Sequence, residues 1–191
     1  MTRRRLPPEA LNACFISTPW GWAWLLATRR GLWACNWPLG SREEAVADLE
    51  LIFQQAFKVN QVLAPLCELK LEKSYLLKQA EEALLAFFCG SPEQLQAVPA
   101  DAGHFTPWQK QVYDVVRSIP AGETRSYRQV AKECGNIRAA RAVGQALATN
   151  PLPLFIPCHR VIHEDGRLGH YGCGGTELKE RLLALEQKRG R

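Results

Sequence analysis

Residues 126–148 read SYRQVAKECGNIRAARAVGQALA, and this stretch decides the fold of the second half of the chain. Ser126 followed three residues later by Gln129 is a capping box, in which hydroxyl and amide satisfy each other's orphan backbone N–H groups at a helix start. The short helix it opens closes near Cys134-Gly135, because glycine accepts the left-handed backbone that ends a helix. A second helix is predicted from about Ile137 to Ala148. Two short helices joined by a Gly-containing turn fit a helix-turn-helix, although many helix pairs of this kind bind nothing. The second helix is the more informative. At about 100° per residue, Ala139, Val143 and Leu147 share a face with Ala142 and Ala146, the side expected to pack on the core. The opposite face carries Arg141, flanked by Arg138 and Gln145, with Ala140, Gly144 and Ala148 beside it. A solvated face usually holds long charged side chains, whereas small residues around one arginine let something large approach the backbone. A packed helix would explain the small residues but not the central Arg141; nucleic acid explains both.

Upstream, Pro107 in Phe105-Thr106-Pro107-Trp108-Gln109 suits the first turn of a helix. Val112, Val115, Val116 and Ile119 follow on one face, and Pro120-Ala121-Gly122 ends the helix. Gly90 to Gly103, rich in Pro, Gly and small polar residues, reads as a linker. Before it, Cys14–Ser17, Trp22–Leu26 and Leu32–Cys35 read as strands joined by turns at Thr18-Pro19-Trp20-Gly21 and Arg29-Arg30-Gly31. The tryptophans there read as packing. Ser41 with Glu44 is a second capping box, and Ala45, Leu49, Ile52, Phe53 and Ala56 follow at helical spacing. A further helical pattern runs through Leu77, Ala80, Leu84, Leu85 and Phe88. Three segments are therefore expected: an α/β domain over 1–90, a linker over 91–104 and a domain over 105–191.

Charge follows the same division. Of 24 Lys+Arg and 19 Asp+Glu, residues 1–103 hold 10 and 11, and residues 104–191 hold 14 and 8. A solvated basic face would do this too, but the second half is the better candidate for an anionic partner. No apolar run is long enough to span a bilayer, and Arg3-Arg4-Arg5 leads into Leu6-Pro7-Pro8-Glu9 rather than an apolar stretch, so a cytoplasmic location is expected, nuclear in a eukaryote. Seven cysteines, with no CxxC pair, do not make a disulfide framework. Most sit among apolar neighbours and read as small core residues.

Cys158 differs. It lies in Pro157-Cys158-His159-Arg160-Val161, and nearby cations and imidazole favour the reactive thiolate. In an extended segment, neighbouring side chains point to opposite sides, so His159 would reach Cys158 through a bridging water rather than directly. A buried cysteine beside an incidental histidine is the blander alternative. On the C-terminal helix, Leu178, Leu182 and Leu185 mark the apolar face, and Glu186 falls roughly 40° from Leu182 at its edge. A carboxylate there needs a partner, and a histidine that activates a nucleophile is one. Cys158, His163, His170 and Cys173 are all potential zinc ligands, but C-x4-H-x6-H-x2-C is not a compact zinc motif.

The run from Asn150-Pro151 to Ile156-Pro157-Cys158-His159-Arg160-Val161-Ile162 resembles the active-site segment of the O6-alkylguanine-DNA alkyltransferases, the methylated-DNA–protein-cysteine methyltransferases. The likeness extends through Phe105–Gln109, Ile119–Thr124, Ser126-Tyr127, Ala139–Gly144, Gly169, Tyr171, Gly174-Gly175, Lys179 and Leu182–Glu186. It is specific over about 105–187 and loose over 10–90. The resemblance implies an α+β fold: a small N-terminal antiparallel sheet with helices, ribonuclease H-like, then a mostly helical C-terminal domain with a winged helix-turn-helix.

It also implies irreversible, single-turnover transfer of the alkyl group from O6-alkylguanine in DNA to Cys158, with O4-alkylthymine as a second candidate substrate. Among the catalytic residues it implies, His159 deprotonates Cys158 through water, Glu186 orients His159, Asn150 supports the site, and Tyr127 meets a DNA phosphate and helps protonate the departing guanine. Arg141 fills the hole left by the flipped nucleotide; Ser126, Arg138, Ala140 and Gly144 complete the DNA contacts. Val161, Tyr171, Gly172, Cys173 and Gly174 line the alkylguanine pocket, and Lys179 supports its loop. No cofactor and no metal are expected. The partner is double-stranded DNA containing O6-alkylguanine, with no membrane; the protein is expected to be a monomer, with cooperativity on DNA left open. Ile137 stands where the family often has proline, and His170 with Gly172-Cys173 makes the pocket loop unusual. The N-terminal zinc site of some relatives lacks support, since Cys14 and Cys35 have no histidines nearby in sequence. The alternative, a non-catalytic module that binds alkylated DNA and recruits other repair proteins, is disfavoured by Cys158 with His159 and Glu186.

Overall fold

The computed structural model describes residues 11–57 and 74–187; the Arg3–Arg5 cluster and Cys67 lie outside the described residues, as do the side chains of Phe53 and Ala56. Strands β1 (Asn12–Thr18), β2 (Gly21–Ala27) and β3 (Leu32–Cys35) form an antiparallel sheet in that order. Helix α1 (Arg42–Phe57) follows. The capping signal at its start works with an offset. The Glu44 backbone N–H donates to Ser41 Oγ at 3.1 Å, while its carboxylate accepts from Gly40 N rather than from Ser41. Helix α2 (Tyr75–Cys89) is capped by Ser74 and stopped by left-handed Gly90. Its buried stripe is Leu77, Ala80, Ala83, Leu84 and Phe87, so the aromatic that faces inward is Phe87; Phe88 is only half-buried.

The two-residue period of β2 distributes its side chains between these helices. Ala23, Leu25 and Ala27 face the core shared with α2, while Trp24 and Leu26 pack with Ala45 and Leu49 of α1. The first of these cores runs on without a break into the second half of the chain, through Val112, Val143, Leu152, Cys158 and Leu182.

The stretch expected as a linker is packed. It carries the single helical turn α3 (Gln94–Ala97), with Leu95, Val98 and Asp101 buried. Leu32 N donates to Pro99 O and Asp101 N to Leu32 O, which lays this segment beside β3. Asp101 also accepts from Thr28 and Arg30, and Arg117 donates to the carbonyls of Gln96 and Val98.

Helix α4 (Pro107–Arg117) opens with a reciprocal capping box, Thr106 with Gln109, in addition to the expected Pro107 in its first turn. It holds the next helices by side-chain bonds: Tyr113 to Ala146 O at 2.8 Å, Trp108 to Ala142 O, Gln109 to Thr149 and Gln111 to Cys134 O. The two-residue strand β4 (Arg125–Ser126) leads into α5 (Tyr127–Glu133), capped as expected by the reciprocal Ser126 and Gln129 pair at 3.1 and 2.6 Å. After left-handed Gly135, a 3₁₀ turn over Ile137–Ala139 precedes α6 (Ala140–Ala148), so the continuous helix expected from Ile137 starts late. The Asn136 side chain caps that turn by accepting from Arg138 N. Strand β5 (Val161–Ile162) pairs with β4 in parallel, and α7 (Gly175–Gln187) closes the described chain. The fold is therefore mixed α and β, with a small three-stranded antiparallel sheet and helices, and none of the described helices is long and apolar enough to cross a membrane.

Replacing Ser126 by Ala should cost about 1 kcal/mol, since its hydroxyl satisfies an N–H in a half-buried helix start. The denaturant midpoint should fall with an unchanged slope; an unmoved midpoint would mean that solvent replaces the cap.

Candidate functional site

The site is built around a chain reversal. Asn150 ends the turn after α6, and its side-chain oxygen accepts from Leu152 N at 3.0 Å. Leu154 then adopts a positive φ of 71°, an uncommon conformation for a branched residue that its burial sustains. Ile156 N returns to Leu152 O, closing the loop. Strand β3 holds this loop from outside: Cys35 N donates to Pro151 O at 3.0 Å, and its thiol to Pro153 O. The N-terminal sheet is thus directly bonded to the segment that delivers Cys158.

Cys158–Arg160 is a 3₁₀ turn, not the extended segment the apolar flanks suggested. The turn forms because Arg160 N bonds back to Pro157 O, and it buries all three side chains. Asn150 Nδ2 donates to Cys158 Sγ at 3.1 Å and to Ile156 O at 2.9 Å. Burial pushes the Cys158 thiol above its ordinary range, and the Asn150 hydrogen bond and the Lys179 charge pull back against it. A thiol so placed needs a base.

His159 supplies one. Its Nε2 lies 2.9 Å from Glu186 Oε1, and Glu186 is fully inside rather than at the edge of its helix face. Burial alone would raise the Glu186 carboxyl, but hydrogen bonds from His159 and Arg160, with the Arg160 charge, outweigh it and hold it at about 2. An ionised Glu186 accepts the Nε2 proton and leaves Nδ1 as the basic nitrogen. That Nδ1 is buried and has no hydrogen-bond partner. Burial also lowers the His159 pKa, with Glu186 opposing, so the ring is held neutral and ready to take a proton.

Arg160, expected from the sequence as a cation beside Cys158, turns to Glu186 instead. It grips Glu186 in a fork, Nε to Oε2 at 3.0 Å and Nη2 to Oε1 at 2.8 Å, and donates from Nη1 to Ile119 O. Gly122 N adds a further bond to Oε2. Pro120-Ala121-Gly122, expected only to end a helix, thus also braces the carboxylate. Lys179 is buried, donates to the carbonyls of Val161 and Leu168, and is lowered to about 8 by that burial, with Cys158 opposing.

A cavity of about 800 Å³ opens beside Cys158. Of the residues singled out from sequence, Tyr127, Ala140, Arg141, Gly144, Asn150, Tyr171, Gly172 and Cys173 line it; Ser126, Arg138, Val161 and Gly174 do not. Its other wall, unforeseen, comes from the N-terminal half: Trp24, Cys35, Asn36, Trp37, Asp48 and Ile52. Cys158, His163, His170 and Cys173 share the cavity, but no group of three or more His, Cys, Asp or Glu side chains among the described residues is gathered to hold a metal ion.

A sequence model described as the DNA-binding domain of 6-O-methylguanine DNA methyltransferase matches residues 107–188. The methylated-DNA–protein-cysteine methyltransferase of Methanosarcina acetivorans is 41% identical over 115 residues, covering 60% of this chain and 72% of its own length. The chain belongs to the methylated-DNA–protein-cysteine methyltransferase family. The mouse methyltransferase is equally similar, 41% over 116 residues, and there the match spans 58% of this chain and 54% of the relative. Among solved structures, the Mycobacterium tuberculosis O6-methylguanine methyltransferase superposes with a TM-score of 0.67 at 29% identity, over 94% of both chains. The same protein solved in complex with DNA gives 0.65 at 28% identity, over 93% of this chain and 94% of that one. The likeness to methyltransferases of known structure thus includes the N-terminal half, which the sequence resembled only loosely.

Proposed function

We propose that this protein repairs O6-alkylguanine in DNA by moving the alkyl group onto Cys158, once per molecule. The carrying observation is the arrangement around the buried thiol: Asn150 on the sulfur and a neutral His159, backed by Glu186 and Arg160, with Nδ1 unsatisfied. The relatives' name describes a methyl group passing from methylated DNA to a protein cysteine. In the proposed step, His159 Nδ1 takes the Cys158 proton through a water. The sulfur then attacks the alkyl carbon, the bond to O6 breaks with its electrons going to guanine, and Tyr127 protonates the departing base. Burial, with the Cys158 sulfur adding to it, raises the Tyr127 phenol, so it stays protonated until needed. The thioether has no path back to a thiol, which makes the reaction stoichiometric, and no cofactor enters. A binding-only module has no use for the buried His159–Glu186–Arg160 chain.

The finer architecture in this reading is a ribonuclease H-like part over 1–90, a packed connecting segment over 91–104, and a part over 105–191 in which α5 and α6 act as the helix-turn-helix and the turn after β5 as its wing. The protein acts as a monomer in the cytoplasm, or the nucleus of a eukaryote, on O6-alkylguanine and candidate O4-alkylthymine. Intact mass after incubation with duplex DNA containing O6-methylguanine tests the reading: one methyl per chain is expected, and catalytic turnover or an unchanged mass would reject it.

Arg141 separates base flipping from chemistry. It is exposed on α6, between half-buried Ala140 and Gly144. A base inside a duplex must be extruded before its O6 can be reached, at a cost of a few kcal/mol. An inserted guanidinium recovers part of this by stacking and by hydrogen bonds to the orphaned base. Arg141→Ala should slow single-turnover repair of duplex at saturating protein and leave the reaction with free O6-benzylguanine nearly unchanged. A loss seen only as weaker, less salt-dependent binding would reduce Arg141 to a phosphate contact.

A further inference from the structure

Ile137 is 44% exposed, and the other large apolar side chains that stand out among the described residues are Leu51 on α1 and Tyr75 at the start of α2. Ile137 alone of these falls within residues 107–188, the part matched by the DNA-binding domain. It does not sit on a frayed end. Gly135 N donates to Lys132 O and Asn136 N to Ala131 O, which ties the turn to α5. The Asn136 side chain and carbonyl then accept from Arg138 N and Ala139 N, closing the 3₁₀ turn around Ile137. A β-branched side chain with few rotamers is thus held out to solvent on a fixed backbone.

Arg141 follows four residues later and is exposed as well, with small, half-buried Ala140 and Gly144 on either side of it. DNA that comes close enough to this stripe for Arg141 to enter the base stack also meets Ile137. The rise of a helix puts the two roughly 6 Å apart, one to two base steps of about 3.4 Å. Arg141, Gly144 and Ala148 line the cavity of Cys158 and Ile137 does not, so Ile137 lies on the far side of Arg141 from the chemistry. A branched apolar side chain gains nothing from a phosphate, and Arg138 beside it, also exposed, already offers a charge. What it fits is the face of a base bared by partly opening a step, the use that DNA-kinking proteins make of Phe, Leu, Ile, Met and Pro.

We propose that Ile137 is an apolar wedge that partly unstacks the duplex one or two base steps from the lesion, and so lowers the cost of extruding the nucleotide that Arg141 replaces. The inference rests on the reading of Arg141 as the residue that enters the stack. It gives this chain a second flipping residue, at the position where the family often has proline. It also makes sequence context a determinant of repair, because pyrimidine–purine steps such as TA unstack most easily.

The test uses the full chain with Ile137→Ala, Ile137→Ser and Ile137→Leu, duplexes in which the steps on both sides of an O6-methylguanine are varied between TA and GG, and free O6-benzylguanine. Single-turnover repair at saturating protein should be roughly 3- to 10-fold slower in Ile137→Ala and Ile137→Ser, a part of what unstacking one step costs. Wild type should repair the TA duplexes faster than the GG duplexes, and both variants should lose most of that preference. Ile137→Leu keeps an apolar side chain of the same size and should keep both rate and preference. The free-base reaction should be unchanged throughout, and so should the salt slope of binding, since no charge is removed. A 2-aminopurine placed in the varied step brightens when it unstacks; it should do so with wild type and far less with Ile137→Ala. Wild-type rates and context preference in Ile137→Ala would overturn the proposal. So would an equal slowing of the free-base reaction, which opens no stack, or a shallower salt slope, which would mark a lost charge contact. A wild-type chain that brightens 2-aminopurine but accepts no methyl would instead sink the alkyltransferase reading and leave the wedge in place.

Discussion

Replacing Cys158 by Ala should abolish alkyl acceptance completely while leaving duplex binding intact. The substitution removes one sulfur from a packed turn, and Asn150 keeps its second bond, to Ile156 O, so the loop retains its shape. The other described cysteines offer a sharp contrast. Cys14, Cys35 and Cys134 are buried, Cys173 is half-buried on the cavity wall, and Cys89 is exposed at the end of α2. A small soluble alkylating agent should therefore reach Cys89 first, because access governs that reaction and burial pushes the Cys158 thiol up. An alkyl group delivered from DNA should instead appear on Cys158 alone, because the base carries it into the cavity where His159 can take the proton. Peptide mapping of both reactions decides the matter. Label from DNA on Cys173 or Cys89, or label that survives Cys158→Ala, would reject Cys158 as the acceptor.

The features legible in the sequence are local ones. Strands β1 to β3 and the Ser126–Gln129 cap depend on neighbours a few residues apart, and they form where turn residues and spacing put them. The 3₁₀ turn at Cys158 was not legible, because the short apolar run Leu152–Ile156 before it carries no periodicity and tertiary burial makes the chain reverse there. Arg160 was visible as a cation beside a cysteine, yet its partner lies 26 residues away on α7. One signal could have found it: a carboxylate falling at the apolar face of a helix needs cations to be buried, and Arg160 was as available as His159. The second wall of the cavity was beyond reach for another reason. Trp24, Asn36 and Trp37 come to the cavity of Cys158 through tertiary contacts, among them the bonds from Cys35 to the 151–153 loop, which no periodicity encodes.

Glu186→Gln should slow alkyl transfer at saturating DNA by about 10²–10⁴-fold, the usual worth of general-base assistance. The glutamine oxygen can still accept from His159 Nε2, but it carries no charge to balance the imidazolium formed when Cys158 loses its proton. His159→Gln should lose a similar factor, and the double variant little more, because the two act as one unit. Stability responds separately. Glu186→Gln leaves Arg160 buried with Ile119 O as its remaining partner of full strength, and breaking a buried pair from one side costs about 3–5 kcal/mol. Adding Arg160→Met should recover part of that loss without restoring the rate. Acid gives the third readout. Glu186 sits at about 2 in the fold against 4.5 ordinarily, so its contribution is fully present above the ordinary value and is lost as pH falls through the folded one. That shift is worth roughly 3 kcal/mol. Burial lowers His159 as well, so its protonation in the unfolded chain removes stability in the same direction, beginning below the ordinary histidine range. Wild-type stability should therefore decline on acidification in two stages, and Glu186→Gln should lack the more acidic one. Equal transfer rates for wild type and Glu186→Gln at neutral pH would reject the relay, and parallel acid-unfolding curves between about pH 4.5 and 2 would show that the carboxylate is not held ionised by Arg160 and His159.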